Sequence, residues 1–206
     1  MDARDFHAAT CNVGGGVEYG HNRIRDWLRE WLGERLGQQV PKEVHVQEWD
    51  KPVLDEHGQQ ELDDDGKPKF KRAKLDAAFY DAQGRRAYVD VVVTSAATTN
   101  AADRAKRAST DGAAAADAVR GKRVRYPPAK LPNSPFTPFA FEALGRMSPE
   151  AEDLLRTYAP EDKAERSVVL RRAKQSLSVL VQTRLVELLL FAEASGQVGH
   201  RVAAAR

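Results

Sequence analysis

The chain has 206 residues, 42% of them hydrophobic and 30% charged, with a net charge of +2: enough for one domain with a full core, or a domain with a helical appendage. Its longest apolar stretch near the C-terminus, Leu185 to Ala192, is broken by Glu187 and is too short to span a bilayer, so no membrane partner is expected. The charged start Met1-Asp2-Ala3-Arg4-Asp5 lacks an apolar signal core and the lone Cys11 excludes an internal disulfide, which points to an intracellular setting, cytosol or nucleus.

Residues 1–20 carry Gly14-Gly15-Gly16 and read as a flexible arm; no Gly-Lys-Ser/Thr follows, so this is not a phosphate loop. Asn22 can cap a helix whose apolar residues Ile24, Trp27, Leu28, Trp31, Leu32 and Leu36 follow helical spacing and which ends near Gly37. Val40 to Trp49 reads as a strand. From Asp50 to Gly66 seven acids stand against one lysine in a stretch rich in turn formers. Within it, Asp63-Asp64-Asp65-Gly66 lacks the alternating ligands and closing Glu of a calcium loop, which leaves a solvated turn.

The next segment is a hairpin. Lys74 to Asp81 and Ala87 to Thr94 are rich in aromatic and β-branched residues, and Ala82-Gln83-Gly84-Arg85-Arg86 between them is a glycine-containing turn. With the turn centred near Gln83, position i pairs with 166 − i, so Asp76 lies opposite Asp90, and the even spacing puts both side chains on one face. Like charges directly opposite in a sheet are destabilising. Each acid also interrupts an apolar strand rather than a loop. A positive partner between them is expected, and for oxygen ligands a hard cation such as Mg2+ is the natural candidate; solvated acids on an edge strand are the alternative.

Beyond a small-residue loop at 95–100, an alanine-rich helix runs to Arg120, with a break possible at Gly112. Lys122-Arg123-Val124-Arg125-Tyr126 reads as a short basic strand stopped by Pro127-Pro128, and Phe139 to Glu142 as a further strand. Ser148-Pro149 opens a helix with an N-cap serine and proline at its first position. A long amphipathic helix follows over 164–194, with the stripe Val169, Ala173, Leu177, Leu180, Val181, Leu185, Leu188 and Ala192. From Arg104 to Lys130 eight bases face two acids, a charge asymmetry for which nucleic acid is the commonest partner and a solvated helix face the alternative.

The resulting order, αβββαβ, is an α/β fold with a mixed sheet flanked by helices and a helical C-terminal extension. With Asp76 and Asp90 on the second and third strands, it resembles the PD-(D/E)XK (restriction-endonuclease-like) nuclease superfamily. More narrowly, it is similar to the restriction-like endonuclease domain of site-specific non-LTR retrotransposons. The matching residues are His21-Asn22, Val46 with Glu48, Lys74-Leu75-Asp76, Val89-Asp90-Val91-Val92-Val93, and Ala118 through Lys122 to Tyr126. The resemblance covers roughly 7–145, and it sets expected boundaries of an arm at 1–20, a nuclease core at 21–145 and an extension at 146–206.

The resemblance implies a metal-dependent DNA endonuclease, freestanding or excised from a longer protein. Asp76 and Asp90 would bind Mg2+, with Mn2+ as a substitute and the Val91 carbonyl as a further ligand. Glu48 would complete the site directly or through water, or stand as a surface acid. The superfamily's lysine two residues after the third-strand acid is replaced by Val92, and Lys122 is the matching displaced lysine, with Lys74 and Lys106 as competitors. Arg120, Arg123, Arg125 and Tyr126, together with His21, Asn22 and Arg25, would contact the DNA backbone. His7 and Cys11 resemble the end of a zinc motif that one cysteine cannot complete, so no zinc is expected. The long last helix could pack on the sheet or support a homodimer. A catalytically inactive DNA binder on the same fold and a protein-interaction scaffold are the rival readings.

Overall fold

The computed structural model describes residues 16–95 and 100–194; His7, Cys11 and the rest of the expected arm before Gly16 lie outside them. Its elements are α1 (Gly16–Leu36), β1 (Val44–His45), β2 (Lys51–Pro52), β3 (Phe70–Lys71), β4 (Lys74–Leu75), β5 (Ala77–Tyr80), β6 (Arg86–Thr94), α2 (Ala101–Ser109), α3 (Ala113–Arg125), β7 (Phe136–Glu142), α4 (Pro149–Thr157) and α5 (Lys163–Ala194). The chain is mixed α/β, with a central sheet of order β5-β6-β7. β5 and β6 form the hairpin antiparallel, and β7 returns parallel to β6 after the crossover through α2 and α3.

Alternation along β6 divides the molecule into layers. Its odd residues Ala87, Val89 and Val91 join Ala77 and Phe79 of β5 in a core completed by Ile24, Leu28 and Leu32 of α1, Leu154 and Leu155 of α4, and Ala173, Leu177 and Val181 of α5. Burial of this many aliphatic side chains, at roughly 1.5–3 kcal/mol each, is the main force holding the layers. The helices expected as an extension therefore belong to the same core as the sheet. The even residues look the other way: Tyr88 packs with Trp49, Leu75, Ala78 and Tyr126, and Val92 packs against Ala115 and Val119 of α3.

Four local expectations are corrected. α1 begins at Gly16, not after Asn22, so Asn22 lies inside the helix. Gly20 is required there because a Cβ would collide with the Cγ and Cδ of Arg184 crossing from α5. The expected strand over 40–49 is reduced to Val44–His45 and followed by a 3-10 turn, Gln47–Trp49. That turn swings the Trp49 ring inward, where it meets Tyr88, Tyr126 and Phe136 and donates its Nε1–H to the Pro127 carbonyl at 3.0 Å. The basic segment 122–126 is the last turn of α3 and its cap, with Tyr126 N–H bonded to the Lys122 carbonyl at 2.8 Å. Its alternating sequence imitates a strand, but the helix already running from Ala113 continues until Pro127-Pro128 stops it. Finally, β7 begins at Phe136, three residues ahead of the expected start.

Between β1 and β4 the acidic stretch forms a small closed appendage. Val53 N–H donates to Lys69 O at 2.9 Å, Lys69 N–H to Glu61 O at 2.8 Å, and Glu61 N–H to Val53 O at 2.8 Å, a ring of three bonds spaced by eight residues. Each intervening tip is built alike: Asp55 Oδ1 accepts from the N–H groups of His57 and Gln59, and Asp63 Oδ1 from those of Asp65 and Lys67. Gly58 and Gly66 supply the positive φ each tip needs. The Asp63–Gly66 run is thus a turn, as its ligand spacing implied.

Candidate active site

The hairpin register is Ala77↔Val89, Ala78↔Tyr88, Phe79↔Ala87 and Tyr80↔Arg86, so the next rung is Asp76 opposite Asp90. Here β4 bends before β5 resumes, and the Asp76 carboxylate replaces the missing ladder bond: Val91 N–H donates to its Oδ2 at 2.7 Å. On the other oxygen, His21 Nε2 of α1 lies 2.9 Å from Oδ1; because an ionised carboxylate only accepts, that nitrogen carries the hydrogen. Both Asp76 oxygens are therefore fixed in direction. Asp90, an even residue of β6, faces α3. The Lys122 ammonium stands 2.6 Å from its Oδ2.

The two acids are only 8% and 5% exposed, and their environments pull them apart. Burial pushes the Asp76 carboxyl up, but the hydrogen bond and field of His21, a hydrogen bond with Asp90 and the Val91 N–H outweigh it and hold Asp76 below the ordinary carboxylate range. Burial also raises Asp90; Lys122 opposes that, while the Asp76 charge and hydrogen bond add to it, and the result is about 7. Near neutrality Asp76 is thus ionised while Asp90 is about half protonated, the divergence expected of two close carboxylates in unlike surroundings.

Among the described residues the Lys122 ammonium is the one positive group against Asp90 Oδ2, and no further donor reaches that buried oxygen. Such an oxygen, beside a second carboxylate, fits a hard divalent cation. No group of three or more His, Cys, Asp or Glu suited to a metal gathers among the described residues. Two carboxylates with the remaining positions left to water and phosphate is the pattern Mg2+ adopts in phosphate chemistry.

The other expected site residues are dispersed. Of the three lysines, Lys122 is the one against Asp90; Lys74 is exposed on β4 and Lys106 pairs with Asp117 at 2.9 Å. Glu48 sits exposed on the 3-10 turn, where its charge helps raise the Tyr88 hydroxyl, and no contact joins it to Asp76 or Asp90. Val91 enters through its N–H. Arg120 and Arg123 are exposed, paired with Asp117 and Glu150, and Arg125 lies over the Tyr126 ring at 5.2 Å. Tyr126 itself is 1% exposed in the aromatic cluster, and burial pushes its hydroxyl up to about 12. Its side chain is therefore unavailable to DNA. Arg25 is likewise buried, bonded to Asp26 at 3.0 Å and Glu43 at 3.4 Å, so it is no surface phosphate contact.

His21 is the residue whose place the sequence reading missed. It was expected at a phosphate and instead supports Asp76, 55 positions away; no local pattern carries that information.

No family model matches this chain, and no curated protein matches it. Among the described residues no helix is long and apolar enough to cross a membrane.

Proposed function

We propose that the chain is a Mg2+-dependent DNA endonuclease on a restriction-endonuclease-like core, with Asp76 and Asp90 holding the metal and Lys122 as the displaced lysine. The observation that carries this reading is the buried pair of carboxylates on adjoining strands with an ammonium 2.6 Å from one of them. Two buried carboxylates side by side, one pushed up to about 7, are a costly arrangement that a bound cation would relieve.

When bound, the cation would supply a Lewis acid that acidifies water and neutralises charge on the scissile phosphate. The chain's own residues do the rest. His21 and the Val91 N–H hold the Asp76 carboxylate in one direction, so its geometry is set before substrate arrives. Asp90 would hold the cation as its carboxylate, the proton passing to solvent. Lys122, extending from the last turn of α3 into the even face of β6, would orient water or offset charge building on the phosphate. Val92 could not have served: it is packed against Ala115, Val119 and Ala140.

The test is nicking of supercoiled plasmid with Mg2+ or Mn2+ against EDTA, for wild type, Asp90→Ala and Lys122→Ala. Metal-dependent cutting lost in both variants supports the site as drawn. Loss in Asp90→Ala alone keeps the nuclease and removes Lys122 from it. No cutting of plasmid or branched DNA by wild type, with DNA binding retained, replaces the reading by an inactive DNA-binding module.

A further inference from the structure

A second cationic cluster lies on the outer face of α3. Asp117 is met by Lys106 Nζ at 2.9 Å and Arg107 Nη2 at 3.7 Å, both from α2, and by Arg120 one turn on in α3. Three cations thus converge on one carboxylate, leaving a surplus of two positive charges. The cations hold Asp117 below the ordinary carboxylate range, with Lys106's hydrogen bond the largest influence. Arg107 is largely covered and donates one Nη1–H to the Ser95 carbonyl at 3.0 Å, while its Nε is buried with no partner. One carboxylate does not satisfy this set.

The helix that brings two of these cations has no buried residue. Among the described residues no side chain of α2 is fully buried; beyond its Asn100 cap, the side-chain ties described for it are Lys106 and Arg107 to Asp117, and Arg107 to Ser95. A helix held mainly by a few ion pairs at the surface, Lys106 half-exposed and Arg107 and Asp117 partly covered, is held weakly, because such pairs contribute about 1 kcal/mol each. A basic helix with no buried apolar side chain, docked on one acid, is an arrangement in which a stronger anion can take that acid's place.

We propose that Lys106, Arg107 and Arg120 form a phosphate-binding site for the nucleic-acid backbone, in which Asp117 stands in for a phosphate when no nucleic acid is bound. This rests on the nuclease reading for its choice of polyanion, and it adds a surface separate from the active site. Asp117 and Lys122 are five residues apart on α3, about 140° around the helix. Lys122 therefore points at the sheet while Asp117 and Arg120 point outward. The outer site would grip backbone flanking the scissile bond, without reading sequence.

The expected effect of losing the acid has an unusual sign. Asp117→Asn removes the competing carboxylate, so binding of a short labelled DNA duplex in EDTA should tighten, by about fivefold on the scale of such ion pairs. Lys106→Ala and Arg120→Ala should weaken binding at low salt, and each should lower the slope of log affinity against log salt by about one. Thermal melts establish that each variant is folded; should Asp117→Asn unfold, the two slopes decide. If wild type binds but Asp117→Asn binds no tighter and the slopes are unchanged, Asp117 is only a strut between α2 and α3 and the proposal falls alone. If wild type binds no DNA, the nucleic-acid reading falls with it.

Discussion

Replacing Asp90 with asparagine should change how the metal-free protein responds to pH, in a direction set by the site. Asp90 titrates near 7 in the folded chain and, like any free aspartate, near 3.8 when unfolded. A raised folded value means that the native state binds the extra proton, so its stabilising contribution is complete below about pH 4 and is lost as pH rises through about 7. The full difference of about 3 pH units corresponds to about 4 kcal/mol at 1.36 kcal/mol per unit. Asp76, held low, contributes in the opposite sense, and its share disappears only as pH falls below the ordinary carboxylate range. The part of that titration falling between pH 5 and 8 is a little over half, about 2 kcal/mol. For a chain of this size that is roughly 4–8 °C in melting temperature. The amide of the Asp90→Asn variant cannot ionise, so that protein should melt at nearly the same temperature across the range. Its absolute stability also reflects what Lys122 loses, which is why the slope with pH and not the midpoint is the quantity to read. The assay is thermal unfolding in EDTA at several pH values, repeated with Mg2+. Mg2+ should raise the wild-type melting temperature above pH 7 by mass action and leave Asp90→Asn where it was. A wild-type melting temperature that is flat or rising from pH 5 to 8 would refute the reasoning.

Two further perturbations probe the surroundings of the site. His21→Ala removes the donor on Asp76 Oδ1; Mn2+ affinity measured by calorimetry should drop about tenfold, as for other residues that orient metal ligands, and unchanged affinity would make His21 a bystander. Gly20→Ala should destabilise by about 1–3 kcal/mol, because the collision with Arg184 outweighs the ~1 kcal/mol that alanine gains over glycine in a helix. Urea unfolding decides this, and a more stable variant would show that Arg184 steps aside freely.

The parts of the site legible in the sequence were those set by period and register. The turn at Gly84 fixes the pairing of 76 with 90, and parity alone places both acids on one face. Lys122 is singled out by its match to a motif, whereas its helical setting is hidden, since Lys-Arg-Val-Arg-Tyr alternates like a strand and only the helix entering from Ala113 overrides it. Tyr126 and Arg25 looked like surface contacts because basic neighbours and a helix start suggest phosphate. What buries Tyr126 is an aromatic set drawn from Trp49, Tyr88 and Phe136, whose convergence depends on the sheet being formed. His21 and Arg184 depend on how α1 crosses the sheet and α5, information that no window of neighbouring residues contains.

The appendage between β1 and β4 has a consequence for how this chain can be altered. Its three-bond ring closes on itself, and its base is pinned where Asp50 Oδ1 accepts the Ala73 N–H at 2.7 Å. It is therefore a cassette whose two ends already meet at a fixed doorway, three residues ahead of Asp76. Its eight-residue period, with Leu54, Leu62 and Phe70 exposed at equivalent steps, offers a natural unit for shortening or exchange. A foreign loop spliced between Asp50 and Arg72 would inherit that doorway, and with it a constant position beside whatever lies across the two aspartates.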